Sequence, residues 1–270
     1  MNGLTLHFLV ALKSGLRSHG MRLILILGVF LMFVAFLAAA FSLRQPLIIA
    51  MDVGLSGIRI TALLLALFWV QEVFSKDVEN KTVLFMLAYP LPRWHYVLGR
   101  YAGILALSAL AVLVQGLLLK GVVMLSAWGY ADSSAPQGWL PYALTLGGIF
   151  LDIAVVTAFA VLLAVIAETP FLPVVVAFAF AIAARGLGSV LDYLRYSPRA
   201  SSEEVTGYLP WLEMLQWAMP SLDRLDWRNT VLYGVWPVPA EFGWSILMAG
   251  FYLLLCLGLA MVLFERRQFQ

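Results

Sequence analysis

Charge is scarce in this sequence. Of 270 residues only 17 are Lys or Arg and 15 Asp or Glu, which makes 12% charged against 63% hydrophobic. Soluble domains carry about 25% charged residues, so a water-soluble globular class is excluded, in line with a mean hydropathy of +0.93. Cysteine is nearly absent too. Cys256 stands alone in the last apolar run, which excludes an intramolecular disulfide and a thiolate metal cluster and leaves a small core residue. The three histidines, His7, His19 and His95, are far apart in sequence, and neither HExxH nor GxSxG occurs, so no metal site or catalytic centre is expected. No glycine-rich loop ends in Gly-Lys-Ser or Gly-Lys-Thr; the chain has no P-loop and is not its own ATPase. With a net charge of +2 and basic residues scattered over loops, no nucleic-acid partner is expected.

What is present is apolar sequence in membrane-length runs. A hydrocarbon core ~30 Å thick takes roughly 20 residues per helix, so this length accommodates about six crossings in one domain, 1–270. The expected fold is an all-α polytopic membrane protein. It has an N-terminal interfacial helix (1–22), six spanning segments, and a small extracytoplasmic helical cap (192–241) between segments five and six. In the interfacial helix, Leu4, Phe8, Leu9, Leu12 and Leu16 recur at helical spacing opposite Lys13, Ser14 and Arg17. Ala38-Ala39-Ala40 superficially resembles a signal cleavage site, but the apolar run 23–41 is longer than a signal core. The second segment is placed at 58–74, with Arg59 and Glu72 snorkelling from its ends. The third, 98–127, carries a small-residue stripe, Gly99, Gly103 and Ala106, where another helix can approach closely. The fourth (142–166) and fifth (172–191) form a hairpin through Ala167-Glu168-Thr169-Pro170, and the sixth is 242–264. In the cap, Ser201-Ser202-Glu203-Glu204 has a capping-box pattern, and Trp211, Leu212, Leu215 and Trp217 suggest short helices on the membrane surface.

Basic residues near segment ends set the orientation. Lys13, Arg17, Arg22, Lys76, Lys81, Arg93, Arg100, Arg266 and Arg267 fall on one side, whereas the first opposite loop has only Arg44 and residues 127–141 have none. Both termini are therefore expected in the cytoplasm. The cap carries Arg195, Arg199, Arg224 and Arg228, outnumbered by acidic residues, and is placed outside.

Inside the segments, Lys120, Asp152 and Arg185 lie roughly 8 to 16 Å below the outer helix ends, where an unpaired charge is costly. Two readings stand. Together with Gln115 these residues line an outward-facing polar vestibule, or Lys120 and Arg185 snorkel and Asp152 is a structural partner. The second is preferred, because snorkelling from such depths is ordinary for long basic side chains.

The remaining polar sequence is concentrated in residues 72–100, with 75–97 as the loop proper. Lys76, Asp77, Glu79 and Lys81 offer charge-assisted hydrogen bonds, and Phe74, Phe85 and Tyr89 offer apolar anchors. By themselves these residues fit a docking helix and a solvated loop with interfacial aromatics about equally. The order of motifs goes further: Glu72, then Phe74-Ser75-Lys76-Asp77-Val78-Glu79-Asn80-Lys81-Thr82, then Pro90-Leu91-Pro92-Arg93 and Gly99-Arg100. It resembles the cytoplasmic loop of ABC-2-type transporter permeases, in particular the branch associated with multi-copper enzyme maturation. Met219-Pro220-Ser221-Leu222-Asp223-Arg224-Leu225-Asp226 and Leu263-Phe264-Glu265-Arg266-Arg267-Gln268-Phe269 agree with that branch. The resemblance implies a half-transporter in the bacterial inner membrane, pairing with a second copy, surrounded by lipid, and driven by two separate ABC ATPase subunits that hold ATP and Mg. It also implies a coupling surface formed by Glu72, Lys76, Asp77, Glu79, Lys81, Thr82 and Arg93, with Glu168 as a second, smaller contact. The chain departs from the family pattern in having Lys81-Thr82 for the usual Gly-Thr. Its cap is also larger than in the simplest exporters, an expected contact for a periplasmic partner. The alternative from another class is a nucleotide-independent secondary transporter or a membrane scaffold of an assembly complex; broken helices and inverted repeats would mark the transporter, and neither is evident. The scattered Met residues form no copper-binding cluster.

Overall fold

A computed structural model describes residues 3–17, 19–42, 45–75, 92–126, 138–167, 169–196, 210–212, 214–215 and 219–266. Among them the chain is all-α, without a strand. In order come α1 (Gly3–Arg17), α2 (His19–Ala40) and α3 (Pro46–Val70), which runs into a π turn (Gln71–Ser75). Then follow α4 (Arg93–Ser126), α5 (Trp139–Ile166), α6 (Leu172–Tyr196), a 3-10 turn (Leu222–Leu225), α7 (Arg228–Tyr233) and α8 (Pro239–Arg266). Six of these, α2 to α6 and α8, are long and apolar enough to cross a membrane. The shortest of the six, α2, has 22 residues and reaches about 33 Å, enough for the hydrocarbon core. The chain is a multi-pass membrane protein.

Helix α3 is central, touching α2, α4, α5, α6 and α7. It is also longer than its sequence suggests, starting at Pro46 instead of residue 58. Proline in the first turn needs no hydrogen-bond donor and presets the backbone. The apparent break at 52–57 is filled in the fold: Asp52 has a cationic partner, Arg228, and Gly54 lets Leu119 of α4 lie on the α3 backbone, where a β-carbon would collide with it. Arg59 is therefore mid-helix, about 20 Å from Pro46. It does not snorkel; its side chain is 11% exposed and reaches Asp226.

Helix α1 lies along α4. The stripe expected at Gly99 and Gly103 receives it: a β-carbon on Gly103 would sit 2.6 Å from that of Ala11, and one on Gly99 2.8 Å from that of His7. Ala106 is half-buried. The inward face of α1 is Gly3, His7, Ala11 and Gly15, all buried, and not the leucine face. Leu6, Leu9 and Leu16 point away and are about half exposed. Small residues win this contact because they allow backbone approach, while lipid accepts leucine as readily as protein does.

The cap is drawn inward. Leu222, Leu225, Trp227, Val231 and Leu232 are all buried, and the 3-10 turn meets α5, α6 and α8. A β-carbon on Gly148 of α5 would collide with the Leu225 carbonyl, and one on Gly188 of α6 with the Asp223 carboxylate. Gly148 lies about 14 Å along α5 from Trp139, so this part of the cap is wedged between helices. Gly234 ends α7 in the left-handed conformation (φ 70°), its N–H donating to the Asn229 carbonyl. Trp211 and Leu215 are exposed. Residues 201–204 and Trp217 lie outside the described residues.

The wedge yields a paired test. Gly147→Ala adds a methyl where no atom lies within 4 Å and is expected to leave thermal unfolding in detergent unchanged or slightly raised. Gly148→Ala is expected to cost about 1–3 kcal/mol. Equal effects would show that the cap does not rest on α5.

Candidate functional site

Two polar assemblies stand apart along the bundle, one at the roots of the polar loop and one reaching from mid-depth toward the other end, with α3 running through both. The first stands where the polar loop leaves and rejoins the bundle. Tyr96, on the first turn of α4, is 2% exposed and surrounded by side chains from four elements. Phe264 of α8 stacks on it at 5.2 Å and 6°. Phe74, in the π turn, meets it edge-on at 5.7 Å, and His7 of α1 does so at 5.4 Å. The Arg100 guanidinium lies 5.2 Å from the ring centroid. Rings at these separations hold one another by quadrupole and cation–π attraction as well as by burial. Arg100 is itself buried and donates from Nη1 to the Val73 carbonyl at 3.2 Å. A π turn shifts the hydrogen-bond register of a helix and frees carbonyls for such a bond. Arg93, exposed at the start of α4, donates to the Glu265 carbonyl at 3.0 Å, tying the far root of the loop to α8. Glu72 sits half-buried in the π turn. Of the other expected coupling residues, Lys76, Asp77, Glu79, Lys81, Thr82 and Glu168 lie outside the described residues.

The second assembly is a chain of alternating charges. Arg185 of α6 donates to Asp152 Oδ2 of α5 from Nε (3.1 Å) and from Nη2. Arg59 of α3 stands with Nε 3.8 Å from the same oxygen and donates from Nη1 to Asp226 Oδ2 at 2.7 Å. Asp226 accepts from Arg228 Nε at 3.0 Å. Arg228 Nη1 in turn donates to Asp52 Oδ1 of α3 at 2.8 Å and to Ser56 Oγ. Three arginines thus meet three aspartates, and the formal charge cancels. Cancellation is what permits the charges at this depth, since an unpaired charge among apolar helices costs several kcal/mol. At the outer members the balance is visible in the titration. Burial pushes Asp226 up, but the hydrogen bond and charge of Arg59, then those of Arg228, outweigh it and hold its carboxyl below the usual range. Burial works against the charge on Arg228, yet Asp226 and Asp52 hold its pKa above the ordinary value. The inner end is slacker: Arg59 Nε and Asp152 Oδ1 are buried without a hydrogen bond among the described residues.

Of the four residues singled out as a pathway, two are brought together, Asp152 and Arg185. Lys120 stands apart, its ammonium over the rings of Trp139 and Tyr142 at 5.3 and 5.5 Å. Gln115 is buried between helices, where its Oε1 accepts from Thr61 Oγ1 of α3 and its Nε2 faces Gly28 of α2. Asp52, Arg59, Asp226 and Arg228 are the members that the sequence did not single out. For Asp226 and Arg228 the signal lies in 222–228, Leu-Asp-Arg-Leu-Asp-Trp-Arg, where charges alternate with residues apolar enough to be buried.

Asp152→Asn leaves Arg185 and Arg59 short of an anion and is expected to lower stability by about 3–5 kcal/mol. Asp152→Leu combined with Arg185→Leu should recover most of that loss in thermal unfolding. A double variant that folds but no longer transports would assign the pair to a pathway. Asp226 gives a pH signature. Because its folded pKa is depressed, its stabilisation is complete above about pH 4 and lost as pH falls through the folded value. Asp226→Asn should therefore unfold at lower temperature than the wild type at pH 7, by about 1–3 kcal/mol, with the gap closing on acidification; a pH-independent gap would contradict the pairing.

No protein-family model matches the chain and no curated protein sequence matches it, so a functional reading rests on the loop's motif and on the geometry of these two assemblies.

Proposed function

We propose that this chain is the membrane-spanning permease subunit of an ABC-2-type transporter, a non-enzymatic half that pairs with a second copy. Two separate ATPase subunits, holding ATP and Mg, dock at the polar loop and drive it. The chain sits in the bacterial inner membrane with both termini cytoplasmic, and the polar loop faces the same compartment. The order of motifs over residues 72–100 supports this reading, as does the lack of any nucleotide loop in the chain itself.

One observation carries it furthest: both roots of the polar loop converge on Tyr96 together with α1 and α8. A partner moving this loop moves four elements as a unit, because stacked rings and buried hydrogen bonds transmit displacement without much compliance. Of these elements, α3 leads to the other assembly. From Ser75 back to Arg59 it runs about 24 Å, and Arg59 faces two carboxylates, Asp226 at 2.7 Å and Asp152 at 3.8 Å. A small shift of α3 changes how Arg59 divides itself between the cap and α5. Nucleotide-driven motion at the loop becomes a change in how the cap is held at the opposite face. That change opens a path or transmits a mechanical signal to a periplasmic partner.

The test is capture of the chain from its native membranes with any bound ATPase. Glu79→Lys together with Arg93→Glu is expected to reduce co-captured, vanadate-sensitive ATP hydrolysis at least about tenfold, the scale of losing charge-assisted interface contacts. Tyr96→Ala should keep the ATPase bound and lose the stimulation of turnover, while Tyr96→Phe keeps both. Undiminished association and turnover in the charge-reversed variant would reject the docking role. Transport that proceeds without nucleotide would favour a secondary transporter.

A further inference from the structure

Away from both assemblies, a groove of about 340 Å³ opens between α4 and α5. Its wall on α4 includes Val112, Gly116 and Leu117, and its wall on α5 includes Ala143, Gly147 and Phe150. The lining spans eight steps on α4 and eleven on α5, so the groove is about 12 to 16 Å long, close to half of a ~30 Å hydrocarbon core. Its floor is open: a β-carbon on Gly147 would meet no atom within 4 Å. The lining is apolar except at one end, which Trp139 and Tyr142 close, and over these two rings lies the ammonium of Lys120. Lys120 is half-buried and about 9 Å short of the end of α4. Arg59 and Arg185 each face a carboxylate. Among the described residues Lys120 faces none and is held by ring faces alone.

A cation at the rim of an apolar, leaflet-length groove, flanked by a tryptophan of the interfacial type, is complementary to a molecule with one negative head and a hydrocarbon tail. We propose that the groove binds an anionic phospholipid. One acyl chain lies along Gly116 and Gly147, and the phosphate sits on the Lys120 ammonium, supplying the anion that the described residues do not. A zwitterionic lipid fills the same groove less well, because its own cation competes for the phosphate. The inference is independent of the transporter reading; it requires only that these helices cross a membrane.

The test counts lipids on the purified full-length protein by native mass spectrometry, after incubation with phosphatidylglycerol or with phosphatidylcholine of the same chains. The wild type is expected to retain phosphatidylglycerol about tenfold better, the scale of one charge-assisted contact. Lys120→Gln should abolish that preference and Lys120→Arg preserve it. Gly147→Leu, whose side chain enters the groove, should remove both lipids while thermal unfolding stays unchanged. Glycerol 1-phosphate at the same concentration should not displace the lipid. The proposal fails if Lys120→Gln retains the preference, if glycerol 1-phosphate alone displaces the lipid, or if Gly147→Leu leaves lipid occupancy unchanged. It fails also if the groove is covered in lipid-free detergent by a second copy of the chain, seen as a dimer that Gly147→Leu dissociates.

Discussion

An arginine about 20 Å from the start of a membrane helix is costly unless it is paired, and much of this structure follows from Arg59 being there. Its guanidinium needs anions brought to it. One comes from α5, as Asp152, and one from outside the spanning helices, as Asp226. The second requires that residues 222–228 descend between the helices, against the tendency of a connecting segment to stay at the surface. Descent in turn needs space, which Gly148 and Gly188 provide by lacking a β-carbon. It also brings Arg228 inward, whose charge is met by Asp52 back on α3. Each step answers a charge introduced by the one before, and the sequence stops when the sum is zero.

The opposite end is built differently. Its centre is a ring, Tyr96, and its contacts are stacked and edge-on aromatics with one buried arginine bonded to a backbone carbonyl. Such contacts are short-ranged and intolerant of displacement, so the elements meeting there move together. An ion chain in which Arg59 Nε and Asp152 Oδ1 have no hydrogen bond among the described residues is less tightly fixed, since Arg59 stands near two carboxylates. Stiffness at the loop roots and slack at the far end is the arrangement a lever needs.

The six crossings were legible in the sequence because hydrocarbon thickness imposes a length, and length survives in composition. Azimuth does not. The leucine stripe of α1 was legible, but the face that α1 turns to α4 was not: His7, Ala11 and the glycines are buried and Leu9 and Leu16 are not. Between protein and lipid, hydrophobicity no longer marks the inside; smallness does. The same blindness groups Lys120 with Asp152 and Arg185. Depth along each helix is readable from residue counts, but which neighbour a helix presents at that depth is not, and Lys120 turns to the rings of α5. Asp152 and Arg185 do meet, as two opposite charges at matching depth on the arms of one hairpin. The start of α3 was hidden because Asp52 and two glycines read as loop. Their helical role depends on Arg228 and Leu119, which are 176 and 65 residues away in the chain.

The length of α3 bears on how a signal could cross. Had the helix begun at residue 58, Arg59 would have been a rim residue free to snorkel, with no need of a partner from residues 222–228. Beginning at Pro46, one helix carries Asp52, Arg59 and Thr61 at its upper half and ends in the π turn bearing Phe74. A hydrogen-bonded helix resists axial compression, so displacement at Phe74 arrives at Arg59 nearly undiminished. It meets there the place where the ion chain is least satisfied. Arg59 bonds Asp226 through Nη1 at 2.7 Å and stands with Nε 3.8 Å from Asp152. A small shift of α3, within what packed helices allow, changes both distances at once. On the function proposed above, the buried charges are more than a cost that the fold offsets: they tie the position of α3 to how residues 222–228 are held.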